Sequence, residues 1–565
     1  MDATQDSSIK TKNYRRASNQ KVIQFEEAIK KMGSQRKASK LTGIPRSTYQ
    51  HLDQRQQRCN LNNVVKDFFR QPEGLDFLHR LTLAAEFVIT QLCGGGIGSV
   101  QKFYELSQLD KLIANSDGTL CKRISTIENN LISYGKQQFS KLSLDMPSKA
   151  VTCALDETFP SGICLVGIEV ESNFILLEQF AEKRDHETWR QAMKSCFSAL
   201  PIDVIQVVSD EARALVKYTR DTLKAHHSPD VFHVQQDIIK ATTPTLRAKV
   251  KTARKALKLA NNKLNAMVVA EVAYRKCRSV EAKKSVNLAR HDHLIDEAAS
   301  EQAIAIDNLM EAVSRRETVL EANRNIGQDY HPFDLTTGEK RTSQILTEKL
   351  NYHFMTITDN AKEAKLSDNS IKRIEKAQRV VNSMILTLQF FWSWVGTYIE
   401  SLNLSGEMAQ VFNEHLLPMA YIEAHIPKAR NAEQKRQRKE LYRKLKIELN
   451  AVETWQSTTS ERKSELQAHA KKCAIVFQRS SSCVEGRNGQ LSLKHHASRK
   501  MSSRKLSAST VIHNYFIRRQ DGTTAAERFF EKAPGNLFEW LLENTDCPPL
   551  PAKKRSIPRG LHAAA

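Results

Sequence analysis

The sequence predicts a mixed α/β domain interrupted by a large all-α insertion, with a small helix-turn-helix unit ahead of both and helices dominating overall. Three strand-like runs rich in β-branched and aliphatic residues follow one another within residues 151–180. Neither glycine nor proline occurs between Thr245 and Ile326, where apolar residues recur every three or four positions. A short helical pattern near the N-terminus turns at Gly43.

Composition points to a polyanionic partner. The 565 residues include 85 Lys and Arg against 63 Asp and Glu, a formal net charge of +22. Such an excess attracts nucleic acid over long distances. The ten cysteines are scattered without C-x-x-C pairs, which predicts reduced thiols in a cytoplasmic protein and not disulfides or zinc ligands. The N-terminus lacks the apolar core of a signal peptide, so we expect no export.

One uncharged stretch, residues 380–399, is nominally long enough to span a membrane. Its polar residues, such as Asn382 and Gln389, fall at helical spacing opposite apolar ones, such as Met384 and Leu388. This amphipathic pattern predicts a buried core helix and no membrane partner.

Residues 35–52, QRKASKLTGIPRSTYQHL, have the pattern of a helix-turn-helix. A short helix ends at the Thr-Gly turn, and a second, basic helix opens after Pro45. The second helix would enter the major groove, and a purely structural helical hairpin is the alternative. The side chains expected to face bases or phosphates are Arg46, Ser47, Tyr49 and Gln50.

The strand-like runs at 151–155, 163–170 and 174–180 predict a three-stranded meander. A helix around 186–200, a strand at 204–210, a helix at 211–225 and a strand at 230–234 should follow, giving the order βββαβαβ. Asp156 and Asp210 end the first and fourth strands, which can lie side by side in a mixed sheet. Two acids so placed bind a metal ion far better than one does.

Each aspartate has an acidic neighbour, Glu157 and Glu211 respectively. Successive side chains on a strand point to opposite faces, and Thr152, Ala154 and Asp156 share one of them. We therefore favour the aspartates as metal ligands, with Glu157 and Glu211 as second choices.

This arrangement resembles the RNase H-like core of the DDE transposases, in which a glutamate on a later helix completes the metal site. The stretch SSCVEGRNGQLSLKHH, residues 481–496, is similar to the glutamate motif of bacterial insertion-sequence transposases and offers Glu485. The stretches DYHPFDLTTG (329–338) and DGTTAAERFF (521–530) also resemble parts of that family. The likeness runs from about residue 20 to residue 545.

The resemblance implies a catalytic and metal triad of Asp156, Asp210 and Glu485 that holds two Mg²⁺ ions, with Mn²⁺ as a substitute. Asp156 would bridge the ions. His233 is expected either to contact the scissile phosphate or to lie in the core or behind the ligands. Arg487 and Asn488 are expected either to support the metal site or DNA backbone or to cap their helix.

Glu485 lies 275 residues after Asp210, so a large segment must be inserted before the last helix. The recurring apolar positions predict a long helix with a coiled-coil seam and a returning helix. The seam of the long helix is predicted at Val250, Ala253, Leu257, Ala260, Leu264 and Met267. The seam of the returning helix is predicted at Ile295, Ala299, Ile306, Met310, Val313 and Leu320.

Two basic clusters offer a path for DNA. The first is either a DNA contact or a solvated helix face, and it comprises Lys428, Arg430, Lys435, Arg436, Arg438, Lys439, Arg443 and Lys444. The second follows the glutamate and includes the expected DNA contacts Lys494, Arg499, Lys500 and Arg504, beside Arg487. The final PPLPAKKRSIPRG is expected to be a disordered basic tail.

The chain divides by these arguments into six parts. They are a helix-turn-helix region at 1–60, a helical DNA-binding or linker region at 61–147, the first part of the core at 148–243, the all-α insertion at 244–473, the final core helices at 474–530, and a C-terminal helix with a basic tail at 531–565.

The function implied by the resemblance is DNA transposition in a bacterial cytoplasm, with transposon ends and target double-stranded DNA as partners and a homodimer on DNA. Two alternatives use the same residues differently. An RNase H-like nuclease or resolvase would cut without joining, and a transposase-derived regulator would bind DNA without chemistry.

Overall fold

The computed structural model describes residues 19–50, 63–276, 288–498 and 501–551. These residues are mostly helical and contain one five-stranded sheet. The α-helices span Asn19–Met32, Gln35–Thr42, 46–50, Asn63–Phe68, Pro72–Glu86, Ile97–Leu106, Asp117–Ser143, His186–Ser198, Arg213–Lys217, Val231–Lys276, Leu288–Asp329, Ser343–Glu363, Asp368–Gln378, Val381–Ser401, Gly406–Val411, Leu417–His425, Ala432–Ala451, Glu453–Gln456, Ser460–Val476, Ser482–Ser498, Ser503–Tyr515, Ala525–Phe530 and Leu537–Asn544. Shorter π-helical or 3₁₀ segments span Phe87–Leu92, Leu109–Lys111, Tyr218–Leu223 and Phe412–Leu416.

The sheet is mixed and has the strand order β3-β2-β1-β4-β5. Its strands are β1 at Lys149–Thr158, β2 at Ile163–Glu169, β3 at Phe174–Ala181, β4 at Ile202–Ser209 and β5 at His226–Pro229. β1, β2 and β3 form an antiparallel meander, whereas β4 runs parallel to β1, and β5 runs parallel to β4. The predicted meander and the predicted pairing of the first and fourth strands are confirmed.

The strand predicted at residues 230–234 is wrong. The fifth strand ends at Pro229, and a helix begins at Val231. The carboxylate of Asp230 causes the change, because it accepts a hydrogen bond from the Phe232 backbone N–H at 2.7 Å, as a helix-capping residue does. The long helix therefore starts at Val231, within the segment that was predicted to belong to the first part of the core.

Each face of the sheet has its own apolar core. On one face Cys153 and Leu155 of β1 pack with Trp189 and Met193 of the helix His186–Ser198. On the other face Ala154 packs with residues of the helix Ser482–Ser498 and the segment after it, which are Val484, Leu491, Met501 and Leu506. The alternation predicted for β1 thus decides which face the glutamate helix covers.

The helical region before the sheet is not a separate linker. Its helix Asp117–Ser143 shares one apolar core with the C-terminal helices and with Phe174 of β3. The rings of Phe174 and Phe529 stack at 4.6 Å. Residues 63–143 and 503–544 therefore form one packed layer beside the sheet. Residues 94–96 connect two helical segments in that layer, and the helix Ile97–Leu106 begins directly after them.

The insertion begins with the predicted antiparallel pair of long helices, which are joined across their middle by an ion pair between Lys263 and Glu301 at 2.7 Å. The seam of the long helix lies where it was predicted, with its apolar residues half-buried. In the returning helix the predicted seam residues Ile295, Val313 and Leu320 are half-buried, but the three predicted between Ile295 and Val313 lie one position too late. Ala298 and Ala305 are buried, whereas Ile306 is 39% and Met310 is 65% exposed.

The rest of the insertion is one helical body with a continuous apolar core. Its central helix Val381–Ser401 buries Met384, Leu388, Phe391 and Val395 almost completely, which confirms the predicted core helix. In the ranges covered by the structure, we find no helix with both the length and the apolar character needed to cross a membrane.

In the two other stretches that resemble parts of the transposase family, polar side chains form ion pairs and helix-capping hydrogen bonds. In DYHPFDLTTG the Asp329 carboxylate contacts Arg341 at 2.8 Å, Lys349 at 3.1 Å and His353 at 2.8 Å. In DGTTAAERFF Thr524 and Glu527 form a reciprocal capping box at the start of the helix Ala525–Phe530.

Candidate functional site

Asp156 and Asp210 lie on neighbouring parallel strands, Asp156 two residues before the end of β1, which runs further than predicted, and Asp210 directly after β4. Ala154 of β1 pairs with Val208 of β4, and the two aspartates each stand two residues beyond that pair. The strand pairing that was predicted to bring these acids together is therefore present. The Asp210 carboxylate accepts a hydrogen bond from the Ala212 backbone N–H at 3.1 Å, which directs it toward the turn after β4.

Glu157 points away from this edge of the site. Its carboxylate accepts a hydrogen bond from the indole N–H of Trp189 and pairs with Arg184, both at 3.2 Å. Both partners lie toward the opposite side of the sheet, where Trp189 is buried. The alternation of side chains along β1 thus separates Asp156 from Glu157, as predicted.

Glu485 reaches the site from the first turn of the helix Ser482–Ser498. The start of that helix is tied to the start of the long insertion helix, because the buried carboxylate of Asp230 accepts hydrogen bonds from the backbone N–H and the hydroxyl of Ser481. The Val231 backbone N–H also donates to the Arg479 carbonyl at 3.0 Å. Two helix starts are therefore held side by side at the end of the sheet.

His233 lies in the first turn of the long helix and enters the site for that reason. Its Nε2 is 3.3 Å from the Glu485 carboxylate, and its side chain is 30% exposed. One ligand atom each from Asp156, His233 and Glu485 lies within 4.8 Å of the others. Asp210, the third predicted ligand, is not a member of this group. His233 is therefore the residue that the structure places beside Asp156 and Glu485.

Asn488 lies one turn after Glu485 on the same helix. Its amide N–H donates to the second Asp156 carboxylate oxygen at 2.8 Å, while the first oxygen accepts from the Glu157 backbone N–H at 2.8 Å. The predicted supporting position of Asn488 behind the acids is therefore present. Both oxygens of Asp156 are oriented before any ligand arrives.

The charged form of the Asp156 carboxylate is destabilised by its surroundings. Burial raises the pKa of Asp156 to about 7, and the nearby carboxylates of Glu485 and Asp210 also raise it, against the hydrogen bond from the Glu157 backbone, which lowers it. A divalent cation would relieve the repulsion among these carboxylates, since their oxygens suit Mg²⁺ and Mn²⁺.

The ligand spacing also fits a metal. The ligand atoms of Asp156, His233 and Glu485 lie within 4.8 Å of one another, close enough for a metal ion to be held among them. Two buried atoms at the site, Nδ1 of His233 and Oδ1 of Asn488, have no hydrogen-bond partner among the described residues. Both could bind water in the coordination shell of an ion.

The predicted contact between Arg487 and DNA is wrong, because the Arg487 side chain is buried in an ion pair. Its guanidinium is 3% exposed and forms two hydrogen bonds with Glu178 of β3, at 2.7 and 2.6 Å. Arg487 therefore fastens the glutamate helix to the sheet. The ion pair could not be predicted from local sequence, because Arg487 and Glu178 are 309 residues apart in the chain.

Two of the other predicted DNA contacts in this region bond to neighbouring side chains, and two are not described by the structure. Lys494 donates to Ser509 at 2.8 Å, and burial lowers its pKa to about 8. Arg504 pairs with Glu128 at 2.5 Å while keeping 44% of its side chain exposed. Arg499 and Lys500 lie outside the described residues.

The N-terminal unit has the predicted pair of short helices. Gly43 ends the first helix with a φ of 68°, a left-handed conformation that suits glycine. Arg46, Ser47 and Gln50 are exposed on the second. Tyr49 differs from the prediction, because its ring stacks on buried Phe25 at 4.6 Å and belongs to the core of the unit.

Comparisons with known proteins add one match. Residues 412–557 match the model of a family of unknown function, DUF6399. That segment includes Glu485 and Asn488 but neither Asp156 nor His233. No curated protein matches the chain.

Proposed function

We propose that this protein is a DNA transposase with an RNase H-like catalytic core. The observation that supports this most directly is the meeting of Asp156 and Glu485, with Asp210 on the adjoining parallel strand, at one edge of the sheet. Residues far apart in the chain supply the three acids. The strand order, an antiparallel meander followed by two parallel strands, is consistent with such a core.

The acids would bind divalent cations. Asp156, Asp210 and Glu485 would hold them, and His233 would orient Glu485 through its 3.3 Å contact. Bound Mg²⁺ ions polarise a phosphodiester and stabilise negative charge on its attacking and leaving oxygens. Asn488 keeps the Asp156 carboxylate fixed during that chemistry.

Two displacements at phosphorus would complete the reaction. In the first, a water oxygen attacks, the bond from phosphorus to the 3′ oxygen breaks, and the leaving 3′ oxygen takes up a proton. In the second, the freed 3′-OH loses its proton as it attacks a target phosphorus, and the target 3′ oxygen leaves. No oxidant, reductant or covalent enzyme intermediate is needed. Joining two transposon ends calls for two such sites, so we expect a homodimer on DNA.

DNA binding would involve surfaces away from the acids. The net charge of +22 favours polyanions. The exposed Arg46, Ser47 and Gln50 would read the transposon end.

The test uses labelled DNA from the flanks of the gene, incubated with purified protein and Mg²⁺. We expect cut and joined products from the wild type and neither from Asp156→Ala or Glu485→Ala. Asp210→Asn should abolish cleavage while leaving DNA affinity nearly unchanged, because it removes a ligand far from the reading helix. Glu157→Gln, which changes the carboxylate on the other face, should still cut.

Other outcomes would replace the proposal. Cut ends without joined products would identify a nuclease or resolvase. Specific binding with no cleavage in Mg²⁺ or Mn²⁺ would identify a regulator.

A further inference from the structure

A cleft on the helical insertion collects four cationic side chains from three separate segments. Lys428 and Arg430 come from the loop after the helix Leu417–His425, Arg438 from the next helix, and Arg479 from the segment just before Ser481. Gly327, His331 and His425 also line it. The cleft was not predicted, because Arg479 lies far along the chain from the other three.

No carboxylate accompanies these cations. Among the described residues, neither Asp nor Glu lines the cleft or forms an ion pair with any of the four side chains. Arg479 donates to the Gly327 carbonyl at 2.6 Å and Arg438 to the His425 carbonyl at 2.6 Å. The two guanidinium groups are thus held in place by neutral acceptors, and their charges are not cancelled.

The cations also affect one another. Burial lowers the pKa of Arg479, and the nearby Arg430 and Arg438 lower it further. The pKa of Lys428 is lowered by burial and by Arg479. Like charges gathered without an acid destabilise a fold unless an anion binds among them. The cleft therefore favours an anion.

The size of the cleft narrows the choice of anion. Its cavity volume is about 40 Å³. One water needs roughly 10–15 Å³ on this scale, so the cavity holds about three oxygen-sized groups. That suits the oxygens of a single phosphoryl group, and guanidinium forks match phosphate geometry well.

We infer that this cleft binds a backbone phosphate of DNA, at a site distinct from the acidic cluster. The cleft and the cluster share the segment 479–485, whose first residue lines one and whose last belongs to the other. Six extended residues span at most about 20 Å. Since one DNA strand carries a charge every 3.4 Å of axis, a duplex reaching both sites would place in the cleft a phosphate within about six nucleotides of the reacting one.

The inference distinguishes the residues of the first basic cluster that line the cleft from those that do not. Only part of that cluster lines the cleft, namely Lys428, Arg430 and Arg438. Arg443 lies on the same helix as Arg438, is exposed and does not line the cleft. Together with Lys439, which is also exposed on that helix and outside the cleft, it provides a control that removes two charges, as the cleft variant does.

The test measures DNA affinity by fluorescence anisotropy across a salt series in EDTA, so that no cleavage occurs. One lost phosphate contact lowers the slope of log K against log salt by about 0.9. The affinity of each protein falls by some factor between 50 and 200 mM salt. That factor should be roughly 3.5-fold smaller for Lys428→Gln/Arg430→Gln than for the wild type. Lys439→Gln/Arg443→Gln, which removes the same number of charges outside the cleft, should keep the wild-type slope. Equal slopes in all three proteins would overturn the inference.

A second arm distinguishes DNA from free phosphate, using inorganic phosphate and the melting temperature without DNA. We expect phosphate to stabilise the wild type more than the double variant, whose own melting temperature should not fall. Protection by phosphate together with an unchanged salt slope would assign the cleft to a free anion and overturn the DNA assignment.

The assignment to DNA rests on the proposed function, and the two can fail separately. A wild type that binds DNA while the cleft variants keep its slope would refute the cleft alone. A wild type that binds no DNA would refute the transposase and the DNA assignment together, whatever the phosphate arm showed.

Discussion

Replacing Asp156 with asparagine should stabilise the metal-free protein at neutral pH. The aspartate has an ordinary pKa of 3.8, which burial and the neighbouring carboxylates raise to about 7 in the folded protein. A folded state that holds its proton more tightly than the unfolded state loses stability as pH rises from about 4 to 7. The difference of about 3 pH units corresponds to about 4 kcal/mol at most. An asparagine side chain cannot ionise, so the variant would escape this loss.

The expected gain is smaller than that limit. Asp156 accepts hydrogen bonds from the Glu157 backbone and from Asn488, and an asparagine offers one acceptor oxygen instead of two. Asn488 can compensate by turning its unpaired Oδ1 toward the new amide. Allowing about 1 kcal/mol for imperfect pairing, we expect a gain of about 2–3 kcal/mol at pH 7.5.

The assay is urea unfolding in EDTA, at pH 7.5 and pH 5, for the wild type, Asp156→Asn and Asp203→Asn. Asp203 is an exposed aspartate on β4, so its substitution should change the free energy of unfolding by less than about 0.5 kcal/mol. The advantage of Asp156→Asn should shrink by half or more at pH 5. Equal stability of Asp156→Asn and wild type at pH 7.5, or an advantage that does not change with pH, would refute the reasoning.

Two further predictions concern packing. Arg487→Met should lower the free energy of unfolding by about 3–5 kcal/mol, because it leaves the Glu178 carboxylate buried without its partner. The double variant with Glu178→Met should recover most of that loss in urea unfolding, and a single variant as stable as the wild type would contradict the buried pair. In the helical pair of the insertion, Ala298→Glu should open the seam and speed limited proteolysis there, whereas Ile306→Glu should not, since Ala298 is 0% and Ile306 is 39% exposed. If Ile306→Glu sped proteolysis more than Ala298→Glu, Ile306 and not Ala298 would lie in the seam, as the sequence predicted.

Local patterns were enough for much of the fold. The alternation along residues 151–158 predicted both the strand and the separation of Asp156 from Glu157, since successive side chains on a strand point to opposite faces. The absence of glycine and proline between Thr245 and Ile326 predicted the pair of long helices. Spacing alone did not decide the face of the returning helix. Its seam contains small residues at Ala298 and Ala305, while the larger apolar Ile306 and Met310 face outward.

Tertiary structure decided how distant residues combine. The sequence by itself determined the basic charge, the strands and helices, and acids at three places along the chain. Only the folded chain brought His233 beside Glu485, because Asp230 turned a strand-like sequence into a helix start. It also buried Arg487 against Glu178 and set Arg479 among the cations of the cleft. These residues are about 40 to 310 positions apart in the chain, and neither periodicity nor local propensity carries information over that range.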